Sequence, residues 1–138
     1  MKQKFNKNWK ASRQPRKQRK YLANAPLNIR NKFVSANLSK DLRKKYGVRS
    51  ITLRKGDSVV VMRGKFSKKG GKVTKVMLKL SKVIIDGIQI KKKDGSRVDI
   101  KMEPSNLQIT ELSMEDKKRL KAKVKKIEET KKQQEDKK

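Results

Sequence analysis

Most of the β-branched residues of this chain fall between residues 51 and 112, and the segments on either side are too charged to build a core of their own. A packed interior needs apolar side chains that leave water together, so the fold is expected to centre on that window. The overall balance makes the same point. Apolar residues are 33% of the chain and charged residues 40%, against about 45–50% and about 25% in ordinary globular domains. One small core with solvated or partner-bound extensions is therefore expected, not one interior shared by the whole chain.

The 138 residues include 42 Lys or Arg and 13 Asp or Glu, a net charge of +29. A body this small repels itself at that charge unless a polyanion neutralises it. Nucleic acid is the first candidate, and an anionic membrane is a distant second. The charge is uneven: residues 1–50 carry +15 with Asp41 as their one acid, residues 51–112 carry +9, and residues 113–138 carry +5 with both signs mixed. There is no Cys and no His. That excludes a disulfide framework, a Cys/His zinc site, a Cys–His pair and a Ser–His triad. No apolar run approaches the roughly 18–20 residues that cross a bilayer, and MKQKFNKNWK has no apolar stretch of a secretory signal. A soluble, cytoplasmic chain is expected.

Residues 1–20 show no apolar periodicity. Trp9 stands among Lys7, Lys10 and Arg13 with no apolar neighbour in sequence, and Pro15 is expected to interrupt any helix. The segment reads as an arm without its own core. Further on, SANLSKDLRKKYG places Leu38, Leu42 and Tyr46 at i, i+4 and i+8, with Ser35 or Asn37 able to cap and Gly47 suited to the C-terminal end. This predicts a short helix over about 37–46 that needs something to pack on.

The central window reads as β. Lys55-Gly56-Asp57 predicts a turn before Val59–Val61, and Arg63 to Gly71 a basic, glycine-rich loop. From Val73 to Leu80 the alternation slips between Val73 and Val76, which predicts a bulge. Another strand starts at Val83, where Asp86-Gly87 is either a hairpin turn or a bend within one strand. Asp94-Gly95 is the stronger turn signal, between Ile88–Ile90 and Val98–Ile100, and Leu107–Ile109 closes the set after Pro104. Short strands at this spacing imply a small antiparallel barrel. Val59, Val61, Val73, Val76, Ile84, Ile88, Val98, Ile100, Leu107 and Ile109 are its expected core. Ser113 with Glu115 and Asp116 predicts a charged C-terminal helix with the thin stripe Leu120, Val124 and Ile127, fraying beyond Glu129.

The stretch KGDSVVVMRGKFSKKGGKV, Lys55 to Val73, resembles a KOW motif: Gly-Asp, alternating apolar residues, a Gly/Lys loop, then Gly-Lys-Val. Its flanks, RKYLANAPLNIRNKFVSANLSKDLRKKYGVRSI and PSNLQITEL, resemble the archaeal and eukaryotic form of large-subunit ribosomal protein twenty-four, numbered twenty-six in the older eukaryotic scheme. The similarity covers roughly residues 10–120. It implies that the central domain is a small SH3-like antiparallel barrel (the KOW domain); with the charge distribution and apolar spacing above, the expected fold is mainly β, with a basic N-terminal extension containing a short helix and a charged C-terminal helix, divided as 1–50, 51–112 and 113–138. It also implies binding to the 5′ region of large-subunit rRNA, a role early in subunit assembly and a place near the peptide exit tunnel. Bacterial members resemble the chain through the barrel but lack an extension like residues 1–50.

Several groups are candidate RNA-binding residues. In the loop these are Arg63, Gly64, Lys65, Lys68, Lys69, Gly70, Gly71 and Lys72, whose small glycines let backbone N–H groups and cations approach phosphates. Gly71 matches the motif's characteristic glycine, a conformational role. In the arm they are Lys10, Arg13, Arg16, Lys17, Arg19, Lys20, Arg30 and Lys32, with Trp9 expected to insert into RNA. Phe33 is expected to anchor the arm. Arg43, Lys44, Lys45 and Arg49 complete the set, facing phosphate while Leu38, Leu42 and Tyr46 pack inward. Asp57, Asp86, Asp94 and Asp99 are read as turn formers and not as a metal cluster. No cofactor, metal, small-molecule substrate, membrane partner or enzymatic activity is expected. The expected partners are large-subunit rRNA and neighbouring ribosomal proteins, with the chain a monomer in the cytoplasmic large subunit. A KOW-type transcription elongation factor is the alternative, although residues 1–50 are too short and too basic for the extra α/β domain such factors carry.

Overall fold

The computed structural model describes Phe5, Asn6, Asn8, Trp9, residues 12–113 and Arg119. The order of elements is α1 (Pro15–Asn24), α2 (Leu27–Phe33), β1 (Ser35–Leu38), α3 (Lys40–Tyr46), β2 (Ser50–Thr52), β3 (Ser58–Val61), β4 (Gly70–Met77), β5 (Lys82–Lys91), β6 (Arg97–Met102), a 3-10 turn at Pro104–Asn106, and β7 (Leu107–Glu111). The fold is mainly β, and the strands form one seven-stranded sheet in the order β2-β1-β7-β3-β4-β5-β6. Its neighbours are antiparallel except β1 and β7, which run parallel with Asn37 opposite Gln108 and Leu38 opposite Ile109. Among the described residues the outer strands β2 and β6 do not pair with each other, so the hydrogen-bonded sheet is open.

Alternating strand residues on one side of the sheet make the core. Val59 and Val61 of β3, Val73 of β4, Val83, Ile85 and Ile88 of β5, and Leu107 and Ile109 of β7 are buried together. Val34, Ala36, Leu38, Ile51 and Leu53 join them from the segment around β1 and β2. Three expectations change here. In β5 the inward residues are Val83 and Ile85, with Ile84 only half-buried, because a run of three apolar residues does not reveal its own register. Val98, expected inside, is 42% exposed. Val76 and Ile100 are partly buried and pack on the cluster from its margin.

Two irregularities fall where the sequence places them, and a third, in the β3–β7 register between Ser58 and Val59, does not. The β4–β5 register shifts between Val73 and Lys75, the bulge read from the slipped alternation. Asp86-Gly87 proves to be a bend within β5, with Gly87 at φ +74° and a shift in the β5–β6 register between Ile84 and Gln89. Asp94-Gly95 turns the chain between β5 and β6, with Gly95 at φ +85° and the Lys92 amide donating to the Ser96 carbonyl at 2.8 Å.

The amino-terminal half is more ordered than its composition suggests. Pro15 starts α1 instead of interrupting it, since the first helical position needs no N–H donor and proline's fixed φ suits it. The helix expected over 37–46 is confined to Lys40–Tyr46, capped by Ser39, whose hydroxyl accepts from the Leu42 amide, and closed by Gly47 in the left-handed region. Residues before it are extended because Leu38 is held from both sides: its amide donates to the Arg49 carbonyl, and the Ser39 amide donates to Ile109. The sheet thus reaches across the expected boundary at residue 50. The stripe of Leu120, Val124 and Ile127, with Met114, Glu115 and Asp116, lies outside the described residues.

Candidate nucleic-acid interface

The β3–β4 connection is a built loop. Met62 is anchored by its amide to the Asn106 carbonyl at 2.8 Å, and the Lys68 amide, with Lys68 itself at φ +69°, reaches back to the Val61 carbonyl at 2.8 Å. Ser67 donates its hydroxyl to the Met62 carbonyl and its amide to the Gly64 carbonyl. Phe66 packs against the core, and the Lys69 ammonium sits over its ring at 5.7 Å from the centroid. Arg63, Lys65, Lys68, Lys69 and Lys72 are exposed. The described ion pairs join Lys82 to Glu103 and Arg119 to Asp57, and neither involves this loop.

Gly64, Gly70 and Gly71 do different work. Gly64 adopts φ +89° with open space around it, a backbone requirement. Gly70 and Gly71 belong to β4, opposite Val60 and Val59. A Cβ on Gly71 would meet the Asp86 carbonyl oxygen at 2.4 Å and a methyl of Ile85 at 2.9 Å. Close strand approach, with φ in the ordinary range, is what excludes a side chain there.

In the arm, Arg13, Arg16, Lys17, Arg19, Lys20 and Lys32 are exposed. The first turn of α1 holds no acid and no capping side chain, so its cations face the positive end of the helix dipole. Arg30 is used differently: its Nε donates to the Ala25 carbonyl at 2.8 Å, one terminal nitrogen to the Lys79 carbonyl at 2.7 Å, and the other to that of Ala23. It ties the α1–α2 corner to the β4–β5 connection. Trp9, which has no apolar company in sequence, finds it in space: it stacks on Tyr21 with centroids 4.4 Å apart and planes 22° apart. Tyr21 also meets Phe5 at 4.8 Å and Phe33 at 6.0 Å. Lys10 lies outside the described residues. On α3, Lys44 and Lys45 are exposed, as is Arg49 beyond it, while Arg43 is half-buried with its Nε unpartnered among the described residues.

Residues 12–126 match the sequence profile of a family described as the eukaryotic ribosomal proteins L26 and their archaeal counterparts, numbered twenty-four. The chain belongs to that family. Membership in the L26 family makes it a ribosomal protein, and gives no support to the elongation-factor alternative. The matched span takes in both the loop and α1, but starts after Trp9.

Sequence reasoning misses two features of this L26-family chain. One is an open groove of about 540 Å³ lined by Asn31 of α2, Arg54 and Lys55 of the β2–β3 turn, and Thr74 and Lys75 of β4. In sequence Lys55 is only part of a turn, and nothing local brings it beside Lys75. The other is Asp57. Expected as a turn former, it is fully buried and accepts from the Arg54 amide at 2.8 Å, the Ser113 amide at 3.0 Å and both terminal nitrogens of Arg119. Asp99 accepts from Gln89, and Asp94 accepts the hydroxyl and amide of Ser96, which hold its carboxyl below the usual carboxylate range. No cluster of three or more metal-ligating side chains occurs among the described residues. No helix among them is long and apolar enough to cross a membrane.

Proposed function

We propose that this ribosomal protein is a structural, rRNA-binding constituent of the large subunit, docking on the 5′ region of the large-subunit rRNA. In this reading it acts early in assembly, among neighbouring ribosomal proteins and near the peptide exit tunnel. The observation that carries the reading is the β3–β4 loop: exposed cations without acidic partners among the described residues, held on a hydrogen-bonded frame. Such a surface meets phosphates with little ordering left to do, and reads RNA by shape, not by base edges. The exposed cations of α1 add a second contact, where phosphate relieves the conflict of Arg16 and Lys17 with the helix dipole.

The parts 1–50, 51–112 and 113–138 are functional divisions in this proposal: a phosphate-binding extension, a docking body and a basic tail. The SH3-like description belongs to the body. Bulges in β4, β5 and β7, and one shared core on one face, support a sheet curled toward a small barrel. Affinity would come mainly from counterion release. Full-length protein titrated with a transcript of the 5′ region is expected to show log affinity falling linearly with log salt. It is also expected to prefer that transcript to an unrelated structured RNA of equal length. Equal affinity for both would reduce the interaction to non-specific charge and overturn the assignment.

A further inference from the structure

We propose that the cavity of about 250 Å³ beside α1 holds a single unstacked nucleotide. The inference rests on the RNA-binding reading above and adds a specific ligand class to it. Its walls combine three chemistries. Phe5, Trp9 and Tyr21 supply half-buried ring surface, with Tyr21 at the centre of the cluster. Lys17, Lys20 and Asn24 stand on the same face of α1 as Tyr21, at the spacing that aligns residues along a helix. Asn6 contributes a second amide.

Each chemistry removes a class of occupant. Aromatic clusters commonly take cations, but two lysines at the rim repel one. A free phosphate would satisfy the lysines and leave the rings facing water. An apolar side chain of a partner protein would cover the rings and strand the amides and ammonium groups. A nucleotide meets all three requirements: its base lies on ring surface, its edge offers donors and acceptors to Asn6 and Asn24, and its phosphates reach Lys17 and Lys20. A duplex does not fit, because its bases are already stacked, whereas looped or single-stranded RNA can splay one out. Phe5, Asn6 and Trp9 precede the span that matches the family.

Trp9 is the chain's single tryptophan, so its fluorescence reports on this cavity alone. Full-length protein is titrated with a short oligoadenylate and with duplex RNA of equal phosphate number, and binding is followed separately by anisotropy of labelled RNA. The oligoadenylate is expected to quench Trp9 and the duplex to bind with little quenching. Trp9→Leu is expected to lower the ratio of oligoadenylate to duplex affinity at least about fivefold, the low end for loss of one base stack. Asn24→Ala, on an exposed face where folding is not at stake, is expected to lower the same ratio. Oligoadenylate binding without quenching, equal quenching by both RNAs, or an unchanged ratio in both variants would overturn the pocket while leaving RNA binding intact. Failure of both RNAs to bind would overturn the RNA reading itself.

Discussion

The two terminal nitrogens of the Arg119 guanidinium each lie 2.6 Å from a carboxylate oxygen of Asp57. The Asp57 side chain is 0% exposed and that of Arg119 5%. Arg119 also donates to the Thr52 carbonyl at 2.7 Å. Asp57, in the motif's Gly-Asp turn, therefore fastens a residue from beyond β7 to the end of β2 and the start of β3. Removing one member of a buried pair leaves an uncompensated charge, at a cost of about 3–5 kcal/mol. Arg119→Met and Asp57→Asn are each expected to lower unfolding free energy on that scale in urea titrations, and the double variant to lose less than their sum. Additive losses would show that the pair is not coupled.

Gly71 and Gly64 separate two reasons for glycine. Gly71→Val drives a side chain into the Asp86 carbonyl and is expected to cost at least about 1–3 kcal/mol, the range for overpacking. Gly64→Ala meets no atom within 4 Å and is expected to cost about 1–2 kcal/mol from its left-handed backbone. Lys69→Ala, at an exposed cation, is expected within about 0.5 kcal/mol. Thermal unfolding of the three variants gives the order, and a Gly71→Val protein as stable as Lys69→Ala would refute the close-approach account.

Arg30 and the α1 cations are expected to part in their effects. Replacing Arg16, Lys17, Arg19 and Lys20 with Gln should reduce the slope of log affinity against log salt, by about 0.7–0.9 for each phosphate no longer neutralised. Arg30→Gln should leave the slope alone and lower stability by roughly 1–3 kcal/mol, because its nitrogens hold backbone carbonyls. A slope change from Arg30→Gln with stability intact would return it to the RNA-contacting set.

Acid is expected to loosen the β5–β6 turn late. The Ser96 hydroxyl and amide favour the ionised Asp94 carboxyl and lower its pKa from 3.8. A group depressed in the folded state contributes stability above its unfolded value and loses it as pH falls through the folded one. The Ser96 amide resonance should thus titrate with a midpoint below 3.8. A midpoint at or above that value would contradict the hydrogen bonds.

Strands β3 to β7 are legible in the sequence because each carries β-branched or alternating apolar residues bounded by its own turn residues, although the register within the Val83–Ile85 run is not. Strand β1 is not. Leu38 fits a helical stripe with Leu42 and Tyr46 as well as it fits alternation with Ala36, and the choice is made by β2 and β7, both distant in sequence. The same limit hides the Asp57–Arg119 pair and the stacking of Trp9 on Tyr21. At the loop the cations are legible as residues, but the frame that holds them, from Asn106 to Met62 and from Val61 to Lys68, is not.

The most direct test of the central claim is a sucrose gradient of tagged protein from its own cells, washed stepwise in salt, with crosslinked RNA sequenced. Co-migration with the large subunit is expected, with crosslinks concentrated in the 5′ part of its rRNA, from the β3–β4 loop and α1. Migration away from the large subunit, or crosslinks spread over nascent transcripts, would contradict it.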